Sequence, residues 1–189
     1  MAVDANNKSN VSVGKGVVGG YLFSAPIGTA LPTNHTTALN AAFVNLGYVS
    51  DEGAVFATDV DSDTFKDLNG TDIATSSGGS TRTLQVNLVE TKTDVLKEVY
   101  GQDNVTEANG TITVNHTNDE MPHRVLVLEL VLRDGKKWRR VIEDAQVTEW
   151  EDLTILYSEL VSYGITYTLN GDTPIHDYIE SATTQTSGH

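Results

Sequence analysis

The chain has 189 residues with 39% hydrophobic and 20% charged content, which is typical of a folded protein with one sizeable core and argues against a disordered chain. Its formal net charge of −14, from 26 acidic and 12 basic residues, argues against sequence-independent binding to nucleic-acid phosphates or to anionic membranes. The absence of cysteine excludes disulfides and thiolate chemistry, and no apolar stretch approaches the roughly 20 residues that a membrane-spanning helix needs.

The sequence predicts one domain with a polar segment at each end. Residues 1–20 are polar and rich in glycine, and we expect an N-terminal arm that becomes ordered on a partner. The domain is predicted to span residues 21–170, and residues 171–189 to form a C-terminal polar tail. Residues 14–19 match G-x-G-x-x-G, but no helix or βαβ unit follows them, so a glycine-rich hinge is favoured over a dinucleotide site.

Two segments have the apolar spacing of short helices that pack one face on a sheet. The first is expected to begin at Thr36 or Thr37 and to end at Gly47, with an apolar stripe of Leu39, Ala42, Phe43 and Leu46. The second lies in TDVLKEVYG, where Thr93 is the expected cap and Gly101 the stop, with a stripe of Val95, Leu96, Val99 and Tyr100.

The stretch between these helices is strongly acidic. Seven carboxylates occur from Asp51 to Asp72 with only Lys66 opposing them, and TSSGGST, which follows, is typical of a flexible breaker. We therefore predict a long acidic loop at residues 51–80, and such a loop in a compact domain usually has a function.

Three aspartates of this loop have the spacing of a calcium-binding loop. Asp59, Asp61 and Asp63 occupy the first three odd positions of an EF-hand. Thr64 then stands where glycine is needed and Gly70 where a bidentate glutamate is needed. The sequence favours a solvated acidic loop over a weak divalent-cation site.

The rest of the sequence predicts antiparallel strands. TLQVNLVE places Leu84, Val86 and Leu88 on one face, and Asn-Gly or Asp-Gly turn signals occur at residues 109–110, 134–135 and 170–171. Between them lie the extended runs TITVN, RVLVLELVL, KKWRRVIED, QVTEWEDL and YSELVSYGITYTL. The predicted fold class is mainly β, an antiparallel sandwich or barrel with one or two short flanking α-helices.

A basic cluster surrounds the second of these turns. Five of the twelve basic residues belong to it, namely Arg133, Lys136, Lys137, Arg139 and Arg140. One interpretation is a nucleic-acid patch with Trp138 interleaved. The alternative, favoured by the acidic residues that follow closely, is a hairpin tip that pairs with acidic segments of the same subunit or of a neighbour.

Patterns of catalysis are missing from the sequence. The five histidines form no H-x-H, H-x-x-x-H or HExxH spacing, and no serine lies in a G-x-S-x-G elbow. We therefore predict that the protein is not an enzyme and has no cofactor, metal or catalytic residue.

Several segments together resemble the major tail tube proteins of long-tailed bacteriophages. They are APIGTALPTNHTTALNAAFVNLGYVSDEG, the acidic stretch ending in FKDLNG, ETKTDVLKEVYGQDNVT and RVLVLELVLRDGKKWRRVIEDAQVTE. The similarity covers roughly residues 20–170, and its most specific part runs from GTALP to LGYVS.

The resemblance implies a β-sandwich flanked by a helix, six copies of which form a ring with inner strands joined into a continuous barrel. Stacked rings form a hollow tube, with other tail proteins at its ends and viral DNA passing through without specific binding. The protein is then expected in the virion tail after synthesis in the host bacterial cytoplasm. Two alternatives remain: a surface adhesion or carbohydrate-binding β-sandwich that presents Trp138, Trp150 and tyrosines on one face, and another ring-forming head–tail connector.

Two groups of residues are expected at contacts between copies. The candidate inter-ring loop contains Phe56, Asp59, Asp61, Asp63, Phe65 and Leu68. The candidate inter-subunit ionic hairpin contains Arg133, Lys136, Lys137, Arg139 and Arg140. The net charge further predicts a bore lined by Asp, Glu, Ser, Thr and Asn, because basic contacts would hold DNA whereas repulsion lets it slide.

Overall fold

Eleven β-strands and one α-helix carry the fold in the part of the chain that the structure, a computed structural model, describes: residues 11–181 except the side chain of Asp134, together with Asn6 and Lys8. The elements in chain order are β1 (Lys15–Gly16), β2 (Leu22–Pro26), β3 (Val44–Asn45), β4 (Val49–Lys66), β5 (Asp72–Leu88), α1 (Thr93–Tyr100), β6 (Val105–Ala108), β7 (Thr111–Val114), β8 (Arg124–Val131), β9 (Lys137–Trp150), β10 (Tyr163–Leu169) and β11 (Ile175–Ile179). The predicted fold class, mainly antiparallel β with a flanking helix, is confirmed.

Nine of these strands form one antiparallel sheet in the order β3-β2-β8-β9-β10-β5-β4. The short strand β1 pairs with β8 alongside β2, and β11 pairs with the first part of β9 alongside β10. Strands β6 and β7 form a separate hairpin. Its turn residues Asn109 and Gly110 both have positive φ, +52° and +75°, as the Asn-Gly signal predicts.

The sheet curls until its two ends meet. Tyr21, which precedes β2, accepts a hydrogen bond at its hydroxyl from the backbone N–H of Val49 at the start of β4. The inner face thereby encloses a core to which strands from both ends contribute. Its largest fully buried apolar side chains are Leu22, Leu46, Leu84, Leu88, Leu126, Ile142, Ile165 and Tyr167.

Helix α1 packs its predicted apolar stripe into this core, where Val95, Leu96 and Val99 are buried. It ends at Gly101, as expected, with φ of +101°. The N-cap differs from the prediction, because Lys92 occupies that position and the Thr93 hydroxyl donates to Glu107 instead.

A buried polar cluster holds the helix to the sheet. Glu98 of α1 accepts hydrogen bonds from Ser24 on β2 at 2.9 Å, from Arg124 on β8 at 3.3 Å and from Tyr167 on β10 at 3.0 Å. Burial raises the pKa of the Glu98 carboxyl, and the neighbouring Arg124 charge acts in the opposite direction. A carboxylate this deep is tolerated only when its partners are in place, so the cluster fixes where α1 lies.

The helix predicted between Thr36 and Leu46 does not form. The Asn34 side chain accepts the backbone N–H groups of Thr36 and Thr37 at 2.8 and 2.7 Å. Asn40 does the same for Ala42 at 2.9 Å. These short polar side chains compete with a helix for the same N–H groups, and the segment becomes a series of turns that leads into β3.

The long acidic loop predicted at residues 51–80 is also wrong as secondary structure, because these residues form a hairpin of β4 and β5. Their pairing continues to Lys66 and Asp72, and TSSGGST is part of β5. Its two glycines lie at a register irregularity, where a side chain on Gly78 would crowd Asp61.

Two expectations for the last third of the chain also change. The predicted strand YSELVSYGITYTL begins only at Tyr163, and residues 151–162 contain no strand or helix. The tail expected from residue 171 contains β11, which pairs with β9, while residues 182–189 lie outside the described residues. In the described part, no helix has the length and apolar character to cross a membrane.

The buried cluster gives a stability prediction. Glu98→Ala should lower the free energy of unfolding by about 3–5 kcal/mol, because Arg124 is then left buried without its counter-charge. The matched control is Asp94→Ala on the exposed face of the same helix, which should cost less than about 1 kcal/mol. Urea unfolding followed by circular dichroism measures both, and equal losses would contradict the role given to Glu98.

Candidate functional site

One highly exposed feature of the described residues is the distal part of the β4–β5 hairpin, residues 57–81, which we call the outer hairpin. All of residues 57–66 and 71–81 are exposed. A two-stranded hairpin with no packed face is marginally stable in water. The outer hairpin is therefore suited to packing against another molecule.

The tip of the outer hairpin is a well-formed turn. Asp67 accepts the backbone N–H groups of Thr71 at 2.7 Å and Asn69 at 2.9 Å through one carboxylate oxygen. The bond from Thr71 is the largest cause of the lowered pKa of Asp67. Gly70 has φ of +82°, a conformation that suits glycine.

Apolar and acidic side chains share the outer hairpin. Phe65 is 54% exposed and Leu68 fully exposed. Five of the six residues of the candidate inter-ring loop lie here, namely Asp59, Asp61, Asp63, Phe65 and Leu68. Phe56 lies nearer the base of the hairpin, where it packs against the core. Among the described residues, no three His, Asp or Glu side chains converge on a point where a metal ion could sit.

A second feature is the outward face of the four strands β4, β5, β10 and β9, which we call the polar face. Cross-strand pairing aligns Ala57, Thr83 and Thr168 in one row and Val55, Gln85 and Thr166 in another. Thr148 and Thr168 share a hydrogen bond at 2.8 Å. Within the described residues these rows contain no lysine or arginine.

Carboxylates border the polar face. Asn87 donates to Glu52, and Gln85 donates to Glu151. Gly164 lies between them, where a side chain would collide with the Glu151 carboxylate and with Asn87. The face therefore presents amides, hydroxyls and negative charge to solvent.

The predicted ionic hairpin divides into two parts. Arg139 is buried, pairs with Glu129 at 2.5 Å, and donates to the backbone oxygens of Asn34 at 2.7 Å and Thr37 at 2.6 Å. Arg140 makes a bidentate pair with Asp177 at 2.8 Å for each bond and lies over the Phe56 ring at 4.3 Å. These two arginines are thus engaged within their own chain.

The pair with Arg140 also affects the ionisation of Asp177. Burial pushes the pKa of Asp177 upward, but the hydrogen bonds from Arg140 and from the Trp138 ring N–H outweigh it, and the pKa lies below its ordinary value. The interaction ties β11 to β9, the strand with which it pairs.

The other three residues, Arg133, Lys136 and Lys137, make no ion pair with any side chain that the structure describes. Lys15 joins them, because β1 pairs with Val131, which in turn pairs with Lys137. We call these four residues the basic end. It concentrates positive charge in a protein whose formal net charge is −14.

Sequence reasoning missed the contact between Arg139 and the segment 27–43. Val125, Val127 and Val141 are buried on the sheet face opposite the main core, the face from which Arg139 reaches Asn34 and Thr37. The segment between β2 and β3 therefore covers this second face. One signal in the sequence pointed to this cover: the outward side of RVLVLELVL is half apolar, which is typical of a strand covered on both faces.

Comparison with protein-family models matches residues 4–187 to the family described as phage tail tube protein. Comparison with curated protein sequences finds no match. The family match includes the outer hairpin, the polar face and the basic end.

Removing the hydrogen bonds of Arg139 is expected to loosen the segment between β2 and β3. Arg139→Met should speed amide hydrogen exchange in residues 34–43 and lower the free energy of unfolding by about 3 kcal/mol, since the charge-assisted bonds are lost and Glu129 is left unpaired. Arg133→Met, an exposed control in the same cluster, should change neither quantity. Amide hydrogen exchange is measured by mass spectrometry in both variants. Unchanged protection of residues 34–43 in Arg139→Met would contradict the prediction.

Proposed function

Because this chain belongs to the phage tail tube protein family, we propose that six copies of it close into a ring and that such rings stack into the hollow tube of a virion tail. The family makes the protein a structural part of the tail and not an enzyme. The number six and the passage of viral DNA through the tube come from the resemblance of the sequence to major tail tube proteins.

The outer hairpin is the observation that carries this proposal. Twenty-one residues in two exposed runs, 57–66 and 71–81, extend from the core with no packed face. Such a hairpin gains stability when a second molecule covers it. Stacked rings supply that second molecule along the whole tube.

The sheet edges support ring formation. Within the described residues, β4 pairs only with β5, so one edge of an 18-residue strand is left with unpaired backbone groups. Exposed strand edges of this length invite pairing with other chains. Closure of a ring, in which neighbouring sheets join, removes the edges in a controlled way.

The polar face is the surface that we assign to the bore of the tube. It is formed by four adjacent strands, it carries hydroxyls and amides, and Glu52 and Glu151 lie along it. DNA carries about one negative charge per 1.7 Å of its axis, so a surface without basic residues offers it no counter-charge to bind. DNA slides past such a surface without being held.

The distribution of aromatic side chains disfavours the carbohydrate-binding alternative. Trp138 and Trp150 lie near opposite ends of β9, and Tyr163 and Tyr167 are buried. A sugar-binding platform needs aromatic rings side by side on one exposed face. The other alternative is a head–tail connector, which forms rings that do not stack. In a connector the outer hairpin would have no neighbouring ring to pack against.

Replacing the outer hairpin tests stacking. A variant in which residues 60–80 are exchanged for an Asn-Gly turn keeps the pair between Asp59 and Thr81 and should fold as a monomer or ring that forms no tubes. Circular dichroism reports folding and negative-stain electron microscopy reports tubes. The control is Asn109→Asp, which changes the turn of the β6–β7 hairpin from Asn-Gly to Asp-Gly. Tubes of normal length from the first variant would disprove the role of the hairpin.

Adding positive charge tests the bore. Thr83→Lys, Thr166→Lys and Thr168→Lys together should slow DNA ejection from phage particles by about tenfold or more, because each new contact with phosphate adds to the binding that must be broken. The control carries Thr106→Lys, Thr111→Lys and Thr113→Lys on the exposed side of β6 and β7. Ejection rates that are equal in the two variants would place the polar face outside the bore.

A further inference from the structure

An apolar cleft opens at the base of β4, far from the tip of the outer hairpin. Its volume is about 590 Å³, and its apolar walls are formed by Tyr21, Leu22, Phe56, Leu128, Leu130 and Trp138. Ala54 stands exposed at its rim. A cleft of this size and character, open to solvent, is suited to receiving apolar side chains from a partner.

The basic end lies at the same end of β8 and β9 as this cleft. Lys15 contributes to the lining of the cleft, whereas Lys137 precedes the lining residue Trp138 and leaves β9 on the opposite face of the sheet. Lys15 and Lys137 are exposed, and neither has an ion-pair partner among the described residues. Three carboxylates are also near: Asp51 lines the cleft, Glu180 accepts the backbone N–H of Lys137, and Asp134 follows Arg133 in the sequence. The four cations of the basic end outnumber them.

The outer hairpin has the complementary properties. Its exposed apolar side chains are Val60, Phe65, Leu68 and Ile73. Asp59, Asp61 and Asp63 lie on the same strand and make no ion pair within the described residues. The only lysine of the outer hairpin, Lys66, is engaged by Asp72. An acidic hairpin with an apolar tip thus matches an apolar cleft with a basic rim.

The two surfaces cannot meet within one chain. Phe56 lines the cleft, and β4 continues from it in one direction to Lys66 at the tip. At about 3.3 Å per residue, these ten steps place the tip about 33 Å from the cleft. The hairpin can therefore reach only the cleft of another copy. A contact between two different surfaces of identical chains adds one copy after another, unless the copies close into a ring.

We propose that the outer hairpin of each subunit docks in the apolar cleft and against the basic end of a subunit in the next ring. The inference rests on the proposed tube and adds the site to which the hairpin binds. Phe65 and Leu68 enter the cleft, and Asp59, Asp61 and Asp63 face the basic end. Because the hairpin and the cleft lie at opposite ends of β4, every ring has one donor side and one acceptor side, and the tube is polar.

Chemical cross-linking tests the site directly, since the natural chain has no cysteine. Asn69→Cys at the tip and Ala54→Cys at the cleft rim are combined in one chain, which leaves Phe65 and Leu68 in place. Assembled tubes treated with a short bismaleimide should give a ladder of cross-linked subunits. The control combines Asn69→Cys with Thr106→Cys on the exposed side of β6 and should give no ladder.

The outcomes separate the site from the tube itself. A ladder in the first pair alone supports docking in the cleft. Normal tubes without that ladder, or with equal ladders in both pairs, overturn the docking site while the tube remains. Absence of tubes from the natural chain, under conditions where it is folded and concentrated, overturns the proposed function and this inference with it.

A charge exchange provides an independent measurement. Asp59→Lys, Asp61→Lys and Asp63→Lys together, or Lys15→Glu, Lys136→Glu and Lys137→Glu together, should each raise the protein concentration needed for tube assembly by about tenfold or more. Combining both sets in one chain should restore assembly to within about threefold of the natural protein. Additive loss in the combined variant would overturn the pairing of these two surfaces.

Discussion

The ion pair between Glu98 and Arg124 is the interaction on which the rest of the structure depends. It joins α1 to the interior strand β8, and Ser24 and Tyr167 complete it from β2 and β10. Four elements far apart in sequence are thereby fixed around one buried carboxylate. An ion pair at this depth adds little net stability, but any arrangement that leaves it incomplete is strongly disfavoured. The cluster therefore selects one position for α1 over a sheet whose other contacts are mostly apolar and less specific.

With the inner face filled by the core and α1, the outer face is divided between two uses. Over β2, β8 and β9 it is covered by the segment 27–43, which Arg139 holds through the Asn34 and Thr37 oxygens while Glu129 balances its charge. Over β4, β5 and β10 nothing in the described residues covers it, and the side chains there are mostly threonines, amides and carboxylates, with Val55 and Ala57 among them. One sheet thus provides a packed side that is closed within the subunit and a polar side that is open, which is the arrangement required of a wall around an aqueous bore.

Charge follows the same division. The arginines that stabilise the subunit, Arg124, Arg139 and Arg140, are paired with carboxylates. The cations of the basic end are not paired with described residues, and the unpaired aspartates lie on the outer hairpin at the far end of β4. Opposite charges at the two ends of a subunit favour the head-to-tail contact that we propose, and a surplus of negative charge disfavours contact with nucleic-acid phosphates.

Sequence alone determined the elements whose cause is local. The apolar stripe of α1, the alternation of Leu84, Val86 and Leu88, and the Asn109-Gly110 turn each follow from side chains within a few residues, and all were predicted correctly. Tertiary structure decided the rest. Residues 36–46 have a helical pattern, yet Asn34 and Asn40 take the backbone N–H groups, and Arg139, 102 residues from Thr37, holds the segment as turns. The acidic hairpin has no apolar alternation to reveal it, because its strands are stabilised by pairing with each other and present no face to a core. The basic cluster at residues 133–140 is continuous in sequence, but burial divides it into two parts. Arg139 is enclosed because the segment 27–43 covers its face of β9, and the sequence of β9 does not reveal which face is covered.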